Sequence, residues 1–130
     1  MVALNFSPQF ADAVAAGRKT QTIRQSARAK AGQALQLYTG QRTKACRELA
    51  DAICVDCTYV GLTERGVTLG DTSRFPGDRD DFSRADGFRD YAEMWAWFSA
   101  RYETNSFTGY VIRWELATSL ALPSTDGASR

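Results

Sequence analysis

The chain contains no histidine among its 130 residues. That excludes the Ser-His-Asp and Cys-His routes to an activated nucleophile, and any His-ligated zinc. A general acid or base here has to be Lys, Tyr, Asp, Glu or Cys. There are only three cysteines, an odd number that does not make a disulfide framework. Cys54 and Cys57 form one C-x-x-C, but zinc needs two more ligands and only Cys46 remains. Residues three apart on a strand also point to opposite faces, so these read as buried thiols and no metal site is expected. "GLTERGVTLGD" lacks the G-x-x-x-x-G-K-[ST] pattern of a phosphate loop. No apolar run approaches the roughly 18 residues of a membrane span. The start, "MVALNFSPQF", lacks the charged beginning and long apolar stretch of a signal peptide. These absences predict a soluble, cytoplasmic protein with no membrane partner.

The most pointed absence is of negative charge. Between Gly17 and Arg47 there are eight basic residues and no Asp or Glu: Arg18, Lys19, Arg24, Arg28, Lys30, Arg42, Lys44 and Arg47. The formal net charge of +1 hides this segment, because seven acidic residues fall between Asp71 and Glu93. Thirteen of the sixteen basic residues are Arg, which suits planar, bidentate phosphate contacts and stacking on bases. Such a segment either binds nucleic acid by neutralising phosphates or is a solvated surface balanced in space by the acidic loop. Tyr38 lies within the basic span, opposite Leu35 and Leu37 on a strand. An aromatic among cations is what a groove for single-stranded nucleic acid combines.

What is present predicts one α+β domain over residues 1–116, with a flexible tail over 117–130 that turns small and polar. The apolar fraction of 44%, with fifteen Phe, Tyr and Trp residues, is enough for a core. Leu4 to Phe6 reads as a strand. A helix follows, with Ser7 as N-cap, Pro8 in the first turn and Gly17 as its stop. "KTQTIR" alternates as a strand, with Thr20, Thr22 and Arg24 on one side. "ALQLYTG" reads as another strand. Residues 50–60 are β-rich, with Ile53, Val55, Cys57 and Tyr59 on one face, and "GVTL" is a short strand. Residues 70–84 read as a loop. "DYAEMWAWFSARY" is the clearest helix. Asp90 and Glu93 form a capping box, and Tyr91, Trp95, Phe98 and Tyr102 recur at helical spacing to pack on the sheet. Trp97 falls off that stripe, where it can border a cleft. "GYVIRWEL" is the last strand, with Tyr110, Ile112 and Trp114 on one side. Strands that do not alternate regularly with helices argue against a doubly wound sheet and for a small mixed β-barrel flanked by helices.

"GRKTQTIR", then "G-x-x-L-x-L-Y-T-G-x-R-T", then "ADGF" before an aromatic helix, resembles the ASCH domain family, named for homology to activating signal cointegrator-1. The resemblance spans about residues 4–116. It implies a PUA-like β-barrel with a cleft between barrel and helices, and an RNA-related role. Some members are amidohydrolases that remove the acetyl group of N4-acetylcytidine. Their motif positions match Lys19, Thr22 and Asp86, where those enzymes carry Glu and this chain the shorter Asp. The resemblance thus implies Thr22 as nucleophile, Lys19 as base and Asp86 as its support or proton shuttle. On a regular strand Lys19 and Thr22 point apart, so they cooperate only if Lys19 lies in the turn leading in. Other members bind and degrade single-stranded RNA. For that chemistry "LYTGQRTK" supplies Tyr38 to stack or pass a proton, with Arg42 and Lys44 to hold the phosphate.

The sequence therefore ranks single-stranded RNA binding in a basic cleft first, with ribonuclease activity. N4-acetylcytidine deacetylation is second, and a non-catalytic RNA-binding module third. The binding residues expected are Arg18, Arg24, Arg28, Lys30, Arg42 and Arg47. No cofactor is required. Mg²⁺ is a possible helper for the nuclease, held by the substrate's phosphates and a carboxylate, with Asp86 the first choice.

Overall fold

A computed structural model describes residues 1–70, 73–74 and 77–117. It is an α+β structure with a mixed, mostly antiparallel sheet and three helices among the described residues. The elements in chain order are β1 (Val2–Phe6), α1 (Pro8–Ala16), β2 (Gln21–Arg24), β3 (Ala34–Thr39), β4 (Arg47–Thr63), β5 (Gly66–Leu69), β6 (Ser73–Arg74), α2 (Arg79–Ala85), α3 (Tyr91–Tyr102) and β7 (Ser106–Leu116).

The long strand β4 organises the sheet. At 17 residues it exceeds the usual strand of about 3–10. One edge carries β3 along its first part and β5 along its last; the other edge carries β7 from Ala52 to Thr63. β1 adds to β3 in parallel, with Leu4 opposite Leu37, and β2 adds to β7, with Thr22 opposite Ile112. Among the described residues no ladder joins β1 to β2, so each keeps a free edge.

Both faces of this sheet are covered in places, because the strands coil. Register breaks between Leu37 and Tyr38 and between Cys54 and Asp56 add a residue on one strand and sharpen the twist. Towards one end of β7, Trp114 is buried and its ring meets Phe6 at 5.7 Å. Towards the other end it is Phe107, on the opposite face, that is buried, against Phe98 and Tyr102 of α3. Between them Val111 and Ile112 are both buried, although adjacent residues of a strand face opposite ways.

The break in β4 changes two expectations. Ile53, Val55, Cys57 and Tyr59 do not share one face: Ile53 is opposite Glu115, whereas Cys57 and Tyr59 are opposite Ile112 and Tyr110, and the buried residues of β4 are Ala52, Cys54, Val60 and Leu62. Cys54 and Cys57 do not point apart, since their partners Trp114 and Ile112 are two residues apart on β7 and share a face. An inserted residue restores the parity that a regular strand would lose. Burial raises the pKa of both thiols.

Helix α1 matches its signals. Phe10, Ala11 and Val14 are buried, and Gly17 ends the helix with φ 80°, the left-handed conformation that glycine adopts without penalty. Helix α3 begins as expected, with the Asp90 carboxylate accepting from the Glu93 N–H. Helix α2 is the correction: residues 79–85 are helical, not loop. Asp78 caps it by accepting from the Asp80 N–H, and Phe82 and Ser83 are its buried residues. One apolar anchor in seven charged or small residues leaves no readable period. Apart from Ala117, the tail expected over 117–130 lies outside the described residues.

Candidate functional site

The free edges of β1 and β2 face a cavity of about 210 Å³. Asn5, Phe6 and Ser7 bound it on one side and Thr22, Ile23 and Arg24 on the other. The Arg24 guanidinium bridges the gap, donating to the Asn5 carbonyl at 2.9 Å. Trp97, Phe98, Arg101 and Tyr102 of α3 line it, and the turn between α2 and α3 contributes Asp86 and Phe88. A sheet interrupted at this point leaves room for a small molecule between two strand edges.

Lys19 lies in the turn before β2, as cooperation with Thr22 requires. Its Nζ is 3.4 Å from Asp86 Oδ2 and donates to the Asp86 backbone carbonyl at 2.5 Å. Both residues are only 2% exposed. The Lys19 ammonium position is also 4.8 Å from the centre of the Phe10 ring and 5.8 Å from that of Phe6. The chain reaches this arrangement through local backbone bonds. Arg18 and Lys19 both donate to the Ala13 carbonyl beyond the helix end, and the Thr20 N–H donates to Ala85, tying the turn to the end of α2. Gly87, at φ 97°, completes the fit, because a Cβ there would lie 3.2 Å from Lys19 Cδ and from the Phe10 ring.

Burial lowers the pKa of Lys19, while the Asp86 carboxylate opposes that shift. Burial likewise raises the pKa of Asp86, against the pull of Lys19 and a hydrogen bond from Gln21 Nε2 at 3.4 Å. Desolvation is the largest cause for both groups and disfavours the charged form of each, against their mutual attraction. A buried amine that sheds its proton readily is a base.

Thr22 is buried at the cavity wall and its Oγ1 accepts from Arg24 Nε at 3.4 Å. A cation donating to that oxygen favours charge developing on it and leaves the hydroxyl proton free to be given elsewhere. Phe10, Phe88 and Trp97 form a mutual cluster, with ring centres 5.4 to 6.0 Å apart, that offers aromatic surface to a planar ligand. Arg101 lies over the Trp97 ring at 5.7 Å.

Of the residues singled out in the sequence, Lys19, Thr22, Arg24 and Asp86 meet here, and Trp97 borders the cavity. Tyr38, Arg42 and Lys44 do not line it. The Tyr38 hydroxyl donates to Gln36 Oε1, and Arg42 and Lys44 stand exposed in the turn after β3. Arg18, Arg28 and Lys30 are exposed outside the cavity, and Arg47 pairs loosely with Asp12 at 3.9 Å. Asp86 does not suit Mg²⁺, because Lys19 and Gln21 already occupy its carboxylate. Among the described residues no three His, Cys, Asp or Glu side chains gather as metal ligands. Sequence reasoning missed Gln21, since alternation along β2 turns it away from Thr22 while its amide reaches Asp86. It also missed Asn5, Phe10 and Phe88. Their role comes from contacts across the gap, for which no local pattern exists. No family model, curated protein or solved structure matches the chain.

Proposed function

We propose that this chain is an ASCH-like amidohydrolase, its sheet and helices forming a PUA-like barrel, that removes the acetyl group from N4-acetylcytidine. The observation that supports it is the convergence of Lys19 and Thr22, from the turn before β2 and its start, with Asp86, from the end of α2, on one cavity. The cavity is smaller than the roughly 300–1,000 Å³ of drug-sized sites, which suits a single base better than a strand. The aromatic cluster takes the face of the base.

In this reading neutral Lys19 accepts the Thr22 proton as Oγ1 bonds to the acyl carbon. Arg24, which donates to Thr22 Oγ1, stabilises the negative charge that develops beside it. The carbon–nitrogen bond then breaks, and the Lys19 proton passes to the departing exocyclic amine. Water then adds to the threonyl ester, losing a proton to Lys19, and Lys19 returns that proton to Thr22 Oγ1 as the ester carbon–oxygen bond breaks and acetic acid leaves, to ionise to acetate. Asp86 holds Lys19 in place and stabilises its protonated form in each half of the cycle.

The test is to incubate the protein with N4-acetylcytidine and follow cytidine and acetate by chromatography. Wild type should release both in equal amounts. Thr22→Val and Lys19→Met should each reduce the rate by about 10²-fold or more. No release by wild type sinks the reading.

Cleavage of single-stranded RNA is the second reading. It is favoured by Arg42 and Lys44, which form no ion pair among the described residues. A denaturing gel of labelled RNA with wild type and Lys44→Ala separates the two activities. With catalysis confined to the enclosed cavity, both proteins leave the RNA intact. Cleavage by wild type alone moves the chemistry to the turn after β3.

A further inference from the structure

Large apolar side chains that stand exposed among the described residues are few: Met1, Val55 and Tyr59. Tyr59 is 44% exposed and is not alone. Its ring meets that of half-buried Tyr110 at 5.6 Å and 72°. The register explains the pair. Tyr59 of β4 is opposite Tyr110 of β7, which is opposite Arg24 of β2. The three form one row across three strands and point to one face. Two interstrand spacings, about 10 Å, separate the strand of Arg24 from that of Tyr59. The row thus starts at the wall of the cavity and ends on an exposed aromatic ring.

Positive charge runs beside the row. Arg28 follows Arg24 by four residues and is exposed, and its neighbour Ala29, like Cys57 on the face of the row, packs against the core. Burial first, and the neighbouring Arg28 second, lower the pKa of Arg24. Neither arginine has an ion-pair partner among the described residues. An exposed cation without a carboxylate, near an edge-to-face tyrosine pair that leaves one ring exposed, fits a polyanion that carries flat, unpaired rings.

We propose that Tyr59 and Tyr110 form a stacking platform for the base next to the one in the cavity, with the exposed Arg28 on the intervening phosphate. The occupant is single-stranded RNA, and the cavity takes its nucleoside as part of a chain. This rests on the nucleoside reading above for the occupant of the cavity. A duplex does not fit, because its bases are already stacked on one another.

The experiment is fluorescence anisotropy with a labelled cytidine hexamer of RNA at low salt, and with a duplex of the same strand as control. Tyr59→Ala should weaken hexamer binding about 5- to 150-fold. Tyr59→Phe, which keeps the ring and loses only the hydroxyl, should stay within about threefold of wild type. Duplex binding should change little in either variant. Circular dichroism melting of both variants checks that they are folded. Hexamer binding unchanged in Tyr59→Ala overturns the platform, as does an equal loss in Tyr59→Phe. The two readings fail separately. Without deacetylation, hexamer binding that still depends on the Tyr59 ring leaves the platform standing and removes the chemistry. Deacetylation with hexamer binding indifferent to Tyr59 removes the platform alone.

Discussion

Removing the Asp86 carboxylate should cost stability through the buried Lys19 amine that it leaves behind. Asp86→Ala strands Lys19 Nζ at a site 2% exposed, 3.4 Å from where the counter-charge was. Breaking a buried pair in this way costs about 3–5 kcal/mol. The lower end applies here, because the Asp86 backbone carbonyl and the Phe10 ring remain against the amine. For a chain of this size about 3 kcal/mol lowers Tm by roughly 10 °C. Lys19→Met instead leaves an acid whose pKa burial already raises and which keeps Gln21. The cost is then about 1–3 kcal/mol, that of a buried polar group with one partner removed. On the Lys19→Met background no buried amine remains, and Asp86→Ala should then cost within about 1 kcal/mol of nothing. The coupling between the two sites is therefore about 2 kcal/mol. Urea unfolding followed by tryptophan fluorescence measures all four proteins. An equal cost for Asp86→Ala in both backgrounds refutes the argument, since the loss would then come from the turn and not from the pair.

The pH dependence of deacetylation should follow Lys19. Catalysis needs the neutral amine, and burial lowers its pKa, so kcat/KM rises with pH through a midpoint below the ordinary 10.5. The Asp86 carboxylate works against that shift, so Asp86→Asn should move the midpoint of the residual activity further down. A midpoint at or above 10.5, or an upward move in the variant, counts against Lys19 as the base. Gly87→Ala should lower stability by about 1–3 kcal/mol, because φ 97° is strained for alanine. It should also slow deacetylation more than its Tm loss explains, since the new Cβ meets Lys19 Cδ at 3.2 Å. Wild-type rates in that variant would show that the position of Lys19 is not critical.

Much of this molecule is written locally. The caps at Asp90 and Gly17, the aromatic stripe of α3 and the α+β class follow from short-range spacing, and the structure has each of them. The alternation of "KTQTIR" reads as strand from Lys19 on, and Gly17 only permits a turn there; the structure starts β2 at Gln21 and puts Lys19 in the turn. Helix α2 was not legible, since its single buried aromatic, Phe82, gives no period to read.

The chain's order alone determined that no histidine chemistry operates and that positive charge gathers early in the sequence. Only the tertiary structure decided which of those charges is buried. Lys19 and Asp86 are 67 residues apart and meet because two sheet edges stay unpaired and the end of α2 is tied to the turn before β2. It decided equally that β4 buries one face before the inserted residue, at Ala52 and Cys54, and the other face near its end, at Val60 and Leu62. A pattern of alternation records which residues share a face. It carries no information on which face the rest of the chain will cover, and the energy that settles that question is in the contacts across the fold.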